Sequence, residues 1–197
     1  MALTELLLGS ASPRRKELLF NLGFSVSQVK IVADESHPSE LVGNEIAKYI
    51  AIEKAKAYSN PILENQLLIT ADTVVWHNRK HLAKPKDASE AKEMLRSLSN
   101  QTHEVFTAVA LRSSNMTHCF SEKTKVKFRA LLQEEIDFYI AKYKPFDKAG
   151  AYGIQEWIGM IGIERIEGCY YNVVGLPLQR LHAELKRLDF HPNLVSE

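Results

Sequence analysis

The sequence predicts an α/β protein: a mixed, twisted β-sheet with helices on its faces. Three observations carry this. Strand-like and helix-like runs alternate along the chain. No Pro/Gly/Ser-rich linker, low-complexity tract or internal repeat interrupts them. The 197 residues, 45% hydrophobic and 25% charged, suffice to bury a sizeable core. A single domain over residues 1–197 is expected, with two lobes flanking a cleft.

Taken in order, "TELLLGS" reads as a short buried strand. Ser12-Pro13 then starts a helix, serine as N-cap and proline at the first helical position, running to about Gly23. "VSQVKIVA" is strand-like, and Ile46, Tyr49, Ile50 and the run Glu53 to Ala57 mark a helix before Asn60-Pro61. "QLLITADTVVWHN" has the β-branched, apolar character of a central strand, with "NRK" as a turn after it. Asp87 and Glu90 form a capping-box pattern ahead of Ala91, Met94, Leu95 and Leu98 at helical spacing. "THEVFTAVALRS" and "EKTKVKFRAL" are predicted strands. Ile136, Tyr139, Ile140 and Tyr143 predict a helix ended by Pro145. A last helix packs through Leu178, Leu181, Leu185 and Leu188.

The charge balance narrows the function classes. A formal net charge of +1 and a pI near 7.8 give no global field for nucleic acid or a membrane surface, so neither partner is expected and any anion site must be local. Cys119 and Cys169 lack the paired spacing of a zinc or redox site and read as inert thiols in a reducing cytoplasm. "MALTELLLG" has no basic flank and carries Glu5, so no secretory leader is expected, and no apolar run reaches membrane-spanning length. The glycosylation sequons at Asn100 and Asn115 are then chance matches. A homodimer is the default assembly on symmetry grounds alone.

Chemistry concentrates in a few places. A strand followed by Gly-Ser-Ala-Ser-Pro-Arg-Arg places unpaired helix N–H groups, the Ser10 and Ser12 hydroxyls and the Arg14 and Arg15 forks around one point, which suits a polyphosphate. Locally it equally describes a surface helix start with solvated arginines. P-loop and dinucleotide fingerprints are absent from the sequence. Asp72 interrupts an apolar strand and must meet a cation, a metal or solvent, or cap a turn. Thr73 adds a hydroxyl, and Glu35 in "ADESHP" is a second acid; together the acids suit Mg²⁺ or Mn²⁺ bridging substrate phosphates. Lys54 and Lys84 are candidate phosphate cations, Lys84 held extended by Pro85, although each alone also reads as a surface lysine. In "DKAGAYGIQ" Gly150 and Gly153 permit close backbone approach, and the Gln155 amide can match the acceptor–donor–acceptor edge of uracil or thymine. A glutamine satisfied by backbone is the alternative. His77 and His81 lack a third partner for zinc, and the other histidines read as isolated surface residues.

Seven ordered motifs, "GSASPRRKELL", "EKAKA", "ITADTVV", "AKP", "SNQTHEVFTAVAL", "DKAGAYGIQ" and "NVVGLPL", resemble the Maf family of nucleoside triphosphate pyrophosphatases from about Leu6 to Leu185. The resemblance implies a Maf/ITPase-like architecture and hydrolysis of a nucleoside triphosphate to monophosphate and pyrophosphate with a divalent metal. Arg14, Thr73 and Gln155 match the dTTP/UTP group, whereas the 7-methyl-GTP group carries Trp, Gln and Glu there. Glu156, Trp157 and Cys169 depart from the usual residues, which bears on the shape of the base pocket. The site expected is Ser10, Ser12, Arg14, Thr73 and Gln155 for substrate; Asp72, Lys54, Lys84 and Arg15 for catalysis; and Asp72 with Glu35 for the metal. A non-enzymatic, nucleotide-sensing regulator of septum formation is the rival reading, and clearance of modified pyrimidine nucleotides is an extension of the first.

Overall fold

The computed structural model describes residues 4–192, so Met1–Leu3 of the opening apolar run and the last residues of the 1–197 span lie outside the described residues. Within it, β1 (Glu5–Leu8), α1 (Pro13–Asn21), β2 (Val26–Gln28), α2 (Asn44–Ala57), β3 (Gln66–His77), β4 (Lys80–Leu82) and α3 (Ala88–Leu98) come first. There follow β5 (Thr102–Arg112), β6 (Thr117–Phe128), α4 (Gln133–Tyr143), a 3-10 turn at Ala149–Ala151, α5 (Trp157–Gly162), β7 (Ile163–Glu167), α6 (Tyr170–Val174) and α7 (Leu178–Arg187). The predicted mixed sheet with helices is what forms: seven strands in the order β2-β1-β3-β5-β6-β7, with β4 on β3. β2, β1 and β3 run parallel, and the remaining pairs are antiparallel.

One detail of this topology makes the cleft. β3 pairs with β5 without a break from Leu68 to Trp76, but on its other edge it meets β1 only as far as Ile69, paired with Leu8, and β4 only from Val75, paired with Leu82. The edge between them is vacated because the chain leaves the sheet at Gly9, whose N–H donates 2.8 Å to the Ile69 carbonyl. A Cβ on Gly9 would fall 2.3 Å from the tip of the Ile31 side chain and 2.9 Å from the Thr70 methyl, so a larger residue at this exit would displace them. Asp72 and Thr73 sit on the vacated stretch, beside the carboxyl end of β1, where ligands of such sheets bind.

Strand alternation sorts β3 between two faces. Val74 joins α2 residues Ile46, Ala47, Ile50 and Ala51, with Phe106, Ala108 and Ala110 of β5, in one core. On the opposite face Leu67, Ile69 and Ala71 pack against Leu18, Leu19, Leu181 and Leu185, while Val75 and Val105 join Leu95, Leu98, Phe128 and Tyr139. At about 25 cal/mol per Å² of apolar area removed from water, each fully buried leucine contributes about 2 kcal/mol.

Several boundaries differ from the sequence reading. "VSQVKIVA" is a strand only to Gln28, because β1 has already turned away and Val29 finds a last partner in the Leu8 carbonyl. α1 ends at Asn21 rather than Gly23, and the Ser12 side chain makes no capping bond. Asn78 and Arg79 form the predicted turn, both at positive φ, and lead into β4, which the sequence reading lacks along with β7, α5 and α6. Asp87 caps α3 through the Glu90 N–H at 2.9 Å, but Glu90 reaches back to the Lys86 N–H, one residue short of a true box.

The histidine expectation also needs correcting. His103 is buried, not a surface residue, with its Nε2 2.7 Å from the Tyr152 hydroxyl. His37 and His81 pair, Nε2 to Nδ1 at 3.3 Å.

Candidate active site

A cleft of about 690 Å³ opens at the vacated edge of β3, and every residue expected in the site lines it. One wall begins with Asp72, whose Oδ1 accepts a 2.7 Å hydrogen bond from Lys54 Nζ. Lys54 continues the buried stripe of α2, four residues after Ile50, so the packing that buries this helix also carries its ammonium to β3. The same nitrogen lies 2.8 Å from Glu35 Oε1, and Lys84 Nζ lies 3.1 Å from Glu35 Oε2. Asp72, Lys54, Glu35 and Lys84 thus form one alternating chain of charge. Burial of Glu35 works against its ionisation, but the hydrogen bonds and charges of Lys54 and Lys84 outweigh it and bring the carboxyl down to about 2.

The adjacent arginines of α1 part ways. Arg14 points across the cleft, its Nη1 3.0 Å from Asp147 Oδ2. Arg15 turns inward: Nε donates to the Gly175 carbonyl at 3.0 Å, Nη1 to the Ala71 carbonyl at 2.8 Å and to Ser10 Oγ at 3.3 Å, and Nη2 to Thr73 Oγ1 at 3.1 Å. It thereby satisfies the Ala71 carbonyl on the edge that β1 and β4 leave open, where an unmade bond would be costly. Of the five guanidinium N–H groups four are engaged, leaving one. Thr73 is bonded further to Thr107 at 3.0 Å, and Thr107 to the Asn172 carbonyl at 2.7 Å. Ser10 Oγ also accepts from the Ser12 N–H at 3.2 Å. The Ser12 hydroxyl makes no hydrogen bond among the described residues and stays available at the helix start.

The opposite wall is a turn. Ile154 is buried and Gln155 exposed toward the cleft, so the turn anchors one side chain and displays the next. Among the described residues Gln155 makes no side-chain hydrogen bond, so its amide keeps a free donor and acceptor. Asp147 and Lys148, at the head of the "DKAGAYGIQ" stretch and without a role on sequence grounds, stand between the walls. Lys148 is 8% exposed and holds Asp147 Oδ1 at 2.7 Å and Glu156 Oε1 at 3.1 Å. Burial would raise the Asp147 carboxyl, yet Lys148, and then Arg14, hold it below the usual range.

Asp72 and Glu35 converge on one point, the Lys54 nitrogen, at 2.7 and 2.8 Å. Two such carboxylates fit a hard divalent cation whose other ligands are water and phosphate oxygens. No group of three or more His, Cys, Asp and Glu able to hold a metal occurs among the described residues, so the protein would supply only part of the shell. No helix of the described residues is long and apolar enough to cross a membrane.

A family model described as "Maf-like protein" matches residues 5–188. The dTTP/UTP pyrophosphatase of Bacteroides thetaiotaomicron is 50% identical over 185 residues, covering 93% of this chain and 96% of that protein. The dTTP/UTP pyrophosphatase of Flavobacterium psychrophilum is 47% identical over 187 residues, covering 95% and 96% respectively. Among solved structures, the Staphylococcus aureus Ham1 protein gives a TM-score of 0.49 at 14% identity, covering 92% of this chain and 100% of that one.

Proposed function

The chain belongs to the Maf family, and from that premise and the geometry of the cleft we propose that it hydrolyses dTTP and UTP to the nucleoside monophosphate and pyrophosphate. The observation that carries the reading is the alternating chain Asp72–Lys54–Glu35–Lys84 facing an unengaged Gln155 amide across one cleft. The names borne by the relatives support an enzyme over the septum regulator.

Lys54, Lys84 and Arg14 exchange their carboxylate partners for triphosphate oxygens, joined by the free N–H groups and Ser12 hydroxyl at the start of α1. Arg15 acts chiefly through the frame: it fixes Ser10, Thr73 and the Ala71 carbonyl, with one N–H left for substrate. Gln155 offers its amide to the imide edge of the base, donor to carbonyl and acceptor to ring N–H. The Asp72 carboxylate, released as Lys54 turns to phosphate, orients the attacking water and takes its proton. Attack at the α-phosphorus breaks the bond to the α–β bridging oxygen, and pyrophosphate leaves held by the same cations. A Mg²⁺ or Mn²⁺ ion held by Asp72 and Glu35 would neutralise phosphate charge and lower the pKa of bound water.

Modified pyrimidine nucleotides with an intact imide edge fit the same pocket. The free thiols of Cys119 and Cys169 suit a reducing cytoplasm, where such substrates occur.

The test is a panel of dTTP, UTP, CTP, dATP, GTP and 7-methyl-GTP with Mg²⁺, separating pyrophosphate from orthophosphate. Pyrophosphate from dTTP and UTP is expected. Tight binding of nucleotide without release of pyrophosphate from any of them would restore the regulator, and orthophosphate as the product would overturn the site of attack.

A further inference from the structure

Gln155 has no side-chain partner of its own, so its direction is inherited from the turn Gly153–Glu156, closed by the Glu156 N–H donating 3.0 Å to the Gly153 carbonyl. Both ends of that turn meet at one atom, the hydroxyl of Tyr139 on α4. It accepts from the Gly153 N–H at 3.0 Å and donates to Glu156 Oε2. Tyr139 is fully buried, and burial, then the carboxylate it faces, push its phenol above the ordinary range, so it stays a donor at neutral pH. The Glu156 carboxylate lies over Gly153 so closely that a Cβ there would fall 2.8 Å from its carbon. Its other oxygen meets Lys148, which holds Asp147, which holds Arg14 on the opposite wall. Trp157, edge-on to Phe138 at 4.8 Å, anchors the residue that follows.

We propose that Glu156 is a positioning residue for base recognition: through Tyr139 it fixes the turn that aims Gln155, and through Lys148 and Asp147 it ties that turn to the phosphate-side Arg14. The proposal rests on the reading of Gln155 as the base-contacting residue. Its consequence is selectivity rather than chemistry. Cytosine shows an amino group where uracil shows a carbonyl, so discrimination against CTP depends on the amide being held in one orientation.

The experiment compares kcat and KM for dTTP, UTP and CTP in wild type, Gln155→Ala, Glu156→Ala, Glu156→Gln and Tyr139→Phe, with Tm for each. Glu156→Ala is expected to raise KM for dTTP and UTP about tenfold while kcat moves less than about twofold, so that the preference over CTP falls about as far. Glu156→Gln, which keeps an oxygen for the Tyr139 hydroxyl, should recover most of that preference. Should Glu156→Ala not fold, Tyr139→Phe removes the same link and carries the same expectation. If Gln155→Ala leaves the preference intact, the base reading itself is wrong. If Gln155→Ala abolishes it while Glu156→Ala and Tyr139→Phe do not, the reading stands and the positioning role falls. A lower Tm with equal losses on all three nucleotides would reduce Glu156 to a structural residue and overturn the proposal.

Discussion

On the phosphate side of the cleft Lys54, Lys84 and Arg14 each already face a carboxylate, whereas on the base side Gln155 faces none among the described residues. The first wall is built from a central strand and a packed helix and is held by charge. The second is a turn held by the buried Tyr139 hydroxyl between the Gly153 N–H and the Glu156 carboxylate, with His103 against Tyr152 beside it. The difference separates two tasks. Under the proposed function a triphosphate entering the first wall exchanges one set of anions for another, so the cations never stand bare and the desolvation cost is largely met before binding. A base entering the second meets an amide whose orientation was set in advance, which is how hydrogen-bond selectivity is obtained. Damage to the first wall should therefore cost turnover with selectivity intact, and damage to the second the reverse.

Asp72→Asn is the largest expected effect. It removes the proposed proton acceptor and the negative charge beside Lys54 while preserving shape, and should lower kcat for pyrophosphate release about a thousandfold with Tm nearly unchanged. Near wild-type turnover would remove Asp72 from the chemistry. Lys54→Met comes next. It keeps the stem on the α2 stripe but leaves Asp72 and Glu35 converging without their shared cation, and kcat/KM for dTTP should fall about a hundredfold. The ratio of dTTP to CTP should not move; a shift in that ratio would break the division of labour between the walls.

The third test concerns how each wall responds to acid. Burial, then the nearby His77, bring His103 from its ordinary value of 6.5 down to about 3, so the fold keeps the ring neutral. Between those values the unfolded chain carries a proton that the folded chain does not. Stability from this residue is therefore complete above about pH 6.5 and falls by on the order of 1.4 kcal/mol for each pH unit below it. Denaturant unfolding at pH 7, 6 and 5 should show this slope in wild type and a flatter one in His103→Gln. Equal slopes would mean that the base-side wall is not held by burial of a neutral ring.

How legible these walls were follows from the same contrast. Asp72 stood out because a carboxylate inside "LLITADTVV" has no cheap burial, whereas Lys54 alone read equally as a surface lysine until the buried stripe of α2 is seen to carry it to β3. Strand and helix periodicity gave most elements and the mixed sheet, but not which of its edges is parallel. Arg14 and Arg15 looked alike in sequence, since nothing local says that the turn of α1 aims one across the cleft and the other at the Ala71 and Gly175 carbonyls. Lys148 was hidden more thoroughly. A lysine after an aspartate reads as a solvated turn until Glu156, eight residues on, is seen to close on it from the other side. His103 was misread because it opens its strand next to a polar loop, and only the packing of Phe128 and Tyr152 around it reveals burial.

The smallest expected effect sharpens the comparison from the charged side. Glu35 is held at about 2 against an ordinary value of 4.5, so its sign is that of a depressed acid: its stabilisation is fully present above about pH 4.5 and is lost as pH falls toward 2. Its side chain is 47% exposed, so solvent screening cuts the contribution to less than about 1 kcal/mol, and salt should cut it further. Glu35→Gln should then match wild-type stability to within that amount at pH 7 and converge on it as the pH approaches 2, with the difference shrinking in 0.5 M salt. In the same variant Lys84 loses its carboxylate and Lys54 keeps only Asp72, so triphosphate binding meets less competition from the protein's own anions. KM for dTTP at saturating Mg²⁺ should fall or hold while kcat drops. A rise in KM with kcat unchanged would place Glu35 in binding alone, and the self-neutralised wall would then lose its explanation.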